Sequence, residues 1–548
     1  MRLNQIYSDG MILQRDRKVN IAGTGIPGEL IRVEIDGISA ETIVGDAGQI
    51  GSCGTGTGQD EPRGISEENI PWQIELPPHA AGGPYEMLVT GTIGGSASQK
   101  RIRDVLYGEV WFLNGQSNIE YALTDAKGGR EEQSSADHDS IRYYPVFKAS
   151  NVNEEMLEEE SKTTWKKCKS EIDGSKNDFG DVSAIGYLTA VRVQKELGVP
   201  IGLIDCYVGG CSVTTWIDME RLKKLPEADV YLDNYFDALN NKTPEEYEKE
   251  IREYEAEVAA YDSRKAEMQA ENPDITPDEI AAEISFPWPP PMGYKSLFKP
   301  SGLYNAMAKR VMPYTISAIC YYQGEEDSPR YNRYKVLLKE MIAQYREDWR
   351  DETLPIYIFQ LPMYNEAGLP ENYEWPNQRL VQAEVAEEDE NAELITLIDT
   401  GAYGEIHPWD KAVPARRLAD RMLKKAGHMT IKNIIRNDDS MLLEFDNSYG
   451  VVQLRENELT DAVSGGNNGL LNMITSTVYG FEVSEDGNVW NKAEAVIESD
   501  KIRLITIDAE ENYDFSSIAY VRYAFYSYGI VNIYNAKKEP LVPFVYQL

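Results

Sequence analysis

The chain has 548 residues, room for three or four domains at about 150 residues each, and its 42% hydrophobic and 26% charged residues exclude a disordered chain. Its 91 acidic and 54 basic residues leave a net charge of −37, which repels phosphate backbones and anionic lipid surfaces and makes nucleic acid and membranes poor partners. No run approaches the roughly 18 to 20 apolar residues of a membrane span.

Residues 1–104 are rich in Gly and Pro, with short alternating strands at 18–23 (KVNIAG), 30–35 (LIRVEI) and 86–91 (EMLVTG). That pattern predicts an N-terminal β-sandwich domain or jelly roll. From residue 105 the rhythm changes to strands alternating with amphipathic helices. Strands are predicted at 109–113, 201–206, 316–321, 355–361 and 394–399. Helices are predicted at 184–197, 332–349, 376–388 and 410–426. The alternation implies a parallel sheet with helices on both faces, whose active site lies outside the carboxyl ends of the strands. This α/β core divides into 105–218 and 299–428. Between them, 219–298 reads as a helical insertion, with a Glu-, Lys- and Tyr-dense helix at 243–271 and a proline-rich return, FPWPPP, at 286–291. A solvated charged helix with no part in chemistry is the expectation there. Residues 429–548 are again strand-rich and form a C-terminal β-rich domain.

Five cysteines, Cys53, Cys168, Cys206, Cys211 and Cys320, are scattered and odd in number, without a Cys-x-x-Cys pair. Neither a disulfide framework nor a zinc site fits that spacing, and a reducing compartment follows. The first residues, MRLNQIYSDGMILQ, show no basic and then apolar leader, so a cytoplasmic location is expected. No metal or cofactor is expected either.

Chemistry near neutral pH usually calls on histidine, and the chain has four. His79 falls in a Pro-Pro-His-Ala-Ala-Gly-Gly turn, and His138 in an acidic loop. His428 sits at a helix terminus, where a cation meets the dipole favourably. His407 stands in Glu405-Ile406-His407-Pro408, on the loop after the 394–399 strand. Three further signals follow predicted strands: Gly115-Gln116-Ser117-Asn118, Gly209-Gly210 and Tyr322-Gln323-Gly324-Glu325. Each alone also reads as ordinary turn chemistry. Together they place a hydroxyl, close-approach N–H groups, an amide and an imidazole at strand ends of one sheet, the parts acyl transfer requires.

These residues carry a resemblance. Ser8-Asp9-Gly10-Met11-Ile12-Leu13-Gln14, Gly82-Gly83-Pro84-Tyr85, Gly108-Glu109-Val110-Trp111 and Gly115-Gln116-Ser117-Asn118 come first in order. Gly209-Gly210, Leu303-Tyr304-Asn305, Tyr322-Gln323-Gly324-Glu325, Ile406-His407-Pro408 with Lys411, Val521-Arg522-Tyr523-Ala524 and Pro543-Phe544 follow. In this order they resemble the sialate O-acetylesterase family of SGNH-type hydrolases, over most of the chain outside the insertion. The resemblance implies a flavodoxin-like SGNH hydrolase core with flanking β-sandwich domains and no metal. It implies Ser117 as nucleophile, His407 as base and Glu405 as the acid that orients it. Oxyanion donors would be the N–H groups of Ser117 and Gly210 and the side-chain amide of Gln323. The chain departs from the family pattern at Glu405 (usually Asp), Ile119 (usually Met) and Tyr321 (usually Trp). Asp399 and Glu325 are therefore alternatives for the acid, and a Ser–His dyad is a third.

The substrate implied is an acetylated sugar, either a xylan-type oligosaccharide or O-acetyl sialic acid, and the charge of −37 favours a neutral one. Arg379 is a candidate partner for a sialate carboxylate or an ordinary helix-surface residue. Trp216, Trp375 and Tyr403 are candidate platforms for sugar stacking or packing residues. A carbohydrate-binding protein with a degenerate esterase core, and an SGNH lipase or acyltransferase, are the competing functional classes. The oligomeric state is not encoded in any of these signals.

Overall fold

A single twenty-residue strand, Ser96–Gly115, carries the chain from its first β region into the α/β core. Its first half, polar and exposed, forms a hairpin with Gly82–Ile93 around Gly94-Gly95. Both glycines have positive φ, which matches the right-handed twist of a two-residue hairpin. Its second half, VLYGEVWFLNG, is almost wholly buried and lies in the core. The composition changes at residue 104, but the strand runs on through it.

The computed structural model describes residues 1–45, 70–272, 275, 277–366, 368–450, 452–454, 478–505 and 515–548. Cys53 lies outside them; Cys168, Cys206, Cys211 and Cys320 are buried free thiols. The chain forms two compact units. Unit 1 comprises Met1–Lys242, Met292–Gln323 and Val336–Tyr357; unit 2 comprises Thr243–Pro291, Gly324–Lys335 and Ile358–Leu548.

In unit 1 a small sheet pairs Val19–Gly25 with Arg2–Leu3 and Ile70–Leu76. The core strands run in the order Lys166–Lys169, Asp137–Pro145, Ile201–Tyr207, Ser96–Gly115, Ala318–Tyr322. All these neighbours are parallel except Lys166–Lys169, which is antiparallel at the edge. The sheet is therefore mixed, a correction to the wholly parallel expectation. The two strands at that edge escape a hydrophobicity reading because they are charged: Asp137–Pro145, next to the edge, opens DHDS, and the edge strand Lys166–Lys169 is KKCK, with lysines of the kind that blunt a sheet edge. His138 lies in the first of these strands and not in a loop. The central strand Ile201–Tyr207 is buried at every residue, as a strand covered on both faces must be. Helix Ala184–Leu197 precedes it, capped by Ser183 at its start and by Gly198 at φ +66 at its end.

Unit 2 contains the 28-residue helix Pro244–Glu271, which opens with a Thr243/Glu246 capping box and Pro at the first turn. It also contains helix Glu374–Glu387, strand Ala392–Ile395 and helix Ala412–Met422. The Gln360 N–H donates to Ile395 O at 2.9 Å, setting the segment after Ile356–Phe359 beside that strand. C-terminal four-stranded antiparallel sheets enclose Met441, Leu443, Phe481, Val483, Ile502, Leu504, Val521 and Tyr523. Among the described residues no helix is long and apolar enough to cross a membrane.

Candidate active site

Parallel register decides which loops meet in unit 1. Gly115 pairs with Tyr207 on one side and with Tyr322 on the other, so Gln116-Ser117, Val208-Gly209-Gly210 and Gln323 leave the sheet together at its carboxyl edge. The crossing is tight. Gly115 has φ +133, and a Cβ there would lie 2.0 Å from Tyr322 O, so only glycine fits. The Gln116 N–H donates to Tyr322 O at 2.9 Å and the Val208 N–H to Gly115 O at 3.2 Å, locking the three strand ends together.

Ser117 opens a helix of only four residues, Ser117–Glu120. Gly209 passes directly over it: a Cβ on Gly209 would stand 3.3 Å from Ser117 Cβ and 3.3 Å from Glu120 Oε2. The Gly209 N–H is already engaged, donating to Glu120 Oε2 at 2.5 Å. Glu120 in turn forms an ion pair with Lys148. Sequence reasoning missed Glu120; its one signal is an acid three residues after Ser117 in the same turn. Gly210 follows at φ +75. The Gln323 side chain, fully buried, donates from Nε2 to Cys211 O at 3.1 Å, so one of its amide hydrogens braces the Gly209–Gly210 loop. The Tyr321 hydroxyl donates to Gln323 Oε1 at 3.2 Å, which gives that departure from the family pattern a structural use.

In unit 2, Glu405 Oε1 accepts the backbone N–H of His407 at 2.8 Å and lies 3.6 Å from His407 Nδ1. The second distance suits an ion pair and is too long for a hydrogen bond. The His407 side chain keeps 39% of its surface exposed. Partial burial, then the positive charges of Lys411 and Lys265, hold its pKa below the ordinary imidazole value. Lys411 is almost fully buried, and burial lowers its pKa to about 7 against the pull of Glu325, Glu405 and Asp410. Lys265 belongs to helix Pro244–Glu271, which is largely solvated as expected, with only Tyr247 and Met268 buried, and its charge adds a small contribution at His407.

Asp399, one alternative for the acid, has both oxygens engaged. Arg417 approaches it at 2.6 and 2.7 Å, and Tyr534 donates to it at 3.0 Å, all in the core. Burial pushes its carboxyl up, but the guanidinium wins and holds the pKa below the usual carboxylate range. Glu325 is also buried, and acts on Lys411.

Other candidates move. Arg379 is 0% exposed on helix Glu374–Glu387 and donates to Tyr526 O, so it is a core residue and not a surface arginine. Trp216 is wholly buried with its indole N–H on Cys211 Sγ at 3.1 Å, and Trp375 is buried with its N–H on Pro362 O, so both are packing residues and not sugar platforms. Tyr403 is half-buried against Tyr528. His79 stacks on Tyr107 at 4.2 Å and reaches Asp36. His428 does not act as a cation at a helix end: burial, then Arg421, push its pKa down to about 3. Ser117, Gly210 and Gln323 thus fall in unit 1, and His407 and Glu405 in unit 2.

A family model for carbohydrate esterases, sialic acid-specific acetylesterase, matches residues 292–424. The mouse sialate O-acetylesterase is 26% identical over 382 residues, covering 65% of this chain and 63% of the mouse protein. The human sialate O-acetylesterase is 26% identical over 226 residues, 40% of each chain. The chain thus spans under two thirds of the length of the relatives it matches. Among solved structures, a carbohydrate acetylesterase from Xanthomonas citri superposes with a TM-score of 0.68 at 22% identity, over 100% of this chain and 99% of that one, a likeness of fold. These homologues are carboxylic ester hydrolases.

Proposed function

We propose that this chain, which resembles the sialate O-acetylesterases in its domain match and its relatives and a carbohydrate acetylesterase in its fold, is a carbohydrate O-acetylesterase with a serine nucleophile. The observation that carries the reading is the convergence of Ser117, Gly209-Gly210 and Gln323 at one carboxyl edge, set by the double pairing of Gly115. Ser117 Oγ attacks the acetyl carbonyl while His407 takes its proton. Glu405 stabilises the imidazolium that forms and biases the ring orientation. The oxyanion is met by the N–H groups of Ser117 and Gly210 and by the side-chain amide of Gln323, which also braces that loop through Cys211 O. Losing one such donor typically costs about 3 to 4 kcal/mol of barrier, roughly a hundred- to thousandfold in rate. His407 next protonates the departing sugar oxygen. It then takes a proton from the water that attacks the acetyl-enzyme and returns that proton to Ser117 Oγ as the acyl bond breaks, and acetate leaves.

Several features support the parts of this scheme. The lowered pKa of His407 keeps the imidazole neutral, and so able to accept a proton, through the neutral range. Glu120 removes the Gly209 N–H from competition and leaves Gly210 as the next donor in the loop. The net charge of −37 favours a neutral acetylated oligosaccharide, of the xylan type, over a carboxylated sugar.

The test is acetate release by the wild type and by Ser117→Ala from acetylated xylo-oligosaccharides and from 9-O-acetyl sialic acid, side by side. Release by the wild type alone is the expected result, with the xylo-oligosaccharide as the better substrate. Equal release by Ser117→Ala would remove the serine mechanism, and release from the sialic acid alone would reverse the choice of sugar.

A further inference from the structure

The insertion carries an aromatic pair that the core does not bury. Phe286 and Trp288, in the proline-rich return, are each 46% exposed. Their rings lie 6.5 Å apart, with planes 28° from parallel. Tyr261 of helix Pro244–Glu271 braces Phe286 edge-on at 5.2 Å between centroids. The Trp288 side chain hydrogen-bonds Glu326, on the loop that also carries Glu325. Lys265 stands one helical turn beyond Tyr261, on the same face, and acts on His407. Trp409, two residues past His407, is a further exposed indole at 42%. All of these groups belong to unit 2.

Large exposed rings cost solvation free energy, and a pair held in nearly parallel planes by a hydrogen bond and an edge-on contact is a surface suited to a flat, partly apolar ligand. A pyranose ring has that character, with C–H groups on its faces and hydroxyls at its rim. The Glu-rich helix beside the pair repels carboxylates, so the ring it suits is uncharged.

We propose that Phe286 and Trp288 form a subsite for a neutral oligosaccharide, stacking on a sugar unit other than the acetylated one, so that the insertion selects chains over single acetylated sugars. The subsite rests on the carbohydrate esterase reading above and specifies its substrate class. Both residues lie outside the groups assigned to chemistry, so their loss falls on binding of long substrates and leaves the acyl transfer intact.

Three substrates separate the outcomes: 4-nitrophenyl acetate, acetylated xylobiose and acetylated xylohexaose. Phe286→Ala and Trp288→Ala are expected to raise KM for the hexamer about tenfold, equivalent to about 1.4 kcal/mol, with kcat unchanged. They leave 4-nitrophenyl acetate untouched, and Trp288→Phe restores the hexamer. Because Trp288→Ala also frees Glu326, Phe286→Ala is the cleaner variant. Equal losses on the hexamer and on 4-nitrophenyl acetate would overturn the proposal, as would unaltered hexamer kinetics. A dimer in gel filtration that Phe286→Ala dissociates would overturn it too, assigning the pair to self-association. If the wild type cleaves 4-nitrophenyl acetate but neither sugar, the carbohydrate esterase reading fails by itself. Calorimetry of unacetylated xylohexaose with Ser117→Ala then decides the subsite: binding that Phe286→Ala abolishes upholds it, and no binding overturns it.

Discussion

Asp399 and Glu405 are both candidates by sequence for the triad acid, and the structure makes them fail differently. Asp399→Asn keeps the shape but removes the charge, and turns one acceptor of the Arg417 fork at 2.6 and 2.7 Å into a donor. Arg417 is 0% exposed, so its charge cannot turn to water. Breaking a buried pair from one side costs about 3 to 5 kcal/mol. Glu539, buried at 3.6 Å from the Arg417 Nε, keeps a counter-charge in place and sets the loss near the lower end, about 3 kcal/mol. At about 2 to 4 °C per kcal/mol, the melting temperature falls by about 6 to 12 °C. Activity at 25 °C on 4-nitrophenyl acetate changes less than about threefold, since Asp399 does not reach the imidazole in this scheme. Glu405→Gln behaves in the opposite way. Its carboxylate is 44% exposed, and an exposed pair contributes about 0 to 1 kcal/mol, so melting hardly moves. Its kcat falls roughly tenfold to a hundredfold, below the roughly 10⁴ a fully buried triad carboxylate supplies, because the 3.6 Å contact is looser.

Thermal unfolding and kcat measured on both variants decide the matter, and acid unfolding adds an independent arm. The folded pKa of Asp399 is held below its unfolded value of about 3.9, so its stabilisation is complete above that pH and is lost as pH falls through the folded value. Asp399→Asn should therefore lose less of its remaining stability than the wild type on acidification below about pH 4. A kcat loss in Asp399→Asn exceeding that of Glu405→Gln, with melting unchanged, would refute the assignment.

Glu120→Ala should lower kcat about tenfold by freeing the Gly209 loop, while Glu120→Gln, which keeps the acceptor, stays near wild type; steady-state kinetics of the two separates anchoring from charge. Gly115→Ala places a methyl 2.0 Å from Tyr322 O at φ +133 and should cost at least about 3 kcal/mol, read by denaturant unfolding. Lys411→Met should move the acidic limb of kcat/KM upward. Lys411 is charged below about pH 7, where His407 titrates, and that charge holds the imidazole pKa down; Lys411→Arg should leave the limb in place.

Local signals exposed the parts of the site that depend on strand ends. Gly115-Gln116-Ser117, Gly209-Gly210 and Tyr322-Gln323 each follow a buried apolar strand, so a run of hydrophobic residues ending in glycine or amide already locates them. What joins them is register, and register is invisible to periodicity: nothing in the sequence says that Gly115 pairs with both Tyr207 and Tyr322. Charge hides other elements. Asp137–Pro145 buries Arg142 against the Gly10 and Asp104 carbonyls, a use of arginine that a hydrophobicity scan reads as a loop. The Asp399–Arg417–Glu539 cluster is likewise a core made of ions, legible only once its partners are seen.

Aromatic residues show the same limit from the other side. Trp216 and Trp375 suit sugar stacking by type, yet each spends its N–H on an internal acceptor and its ring on the core. Phe286 and Trp288 sit among prolines that read as a plain return, yet they keep their faces in solvent while a neighbouring ring and a carboxylate hold them in place. Residue type sets what a side chain can bind; exposure combined with immobilisation decides whether it does. An exposed ring free to rotate loses side-chain entropy on binding, and a ring already braced has lost it in folding. On that ground the insertion, and not the aromatic residues of the core, is where affinity for a long sugar chain should reside.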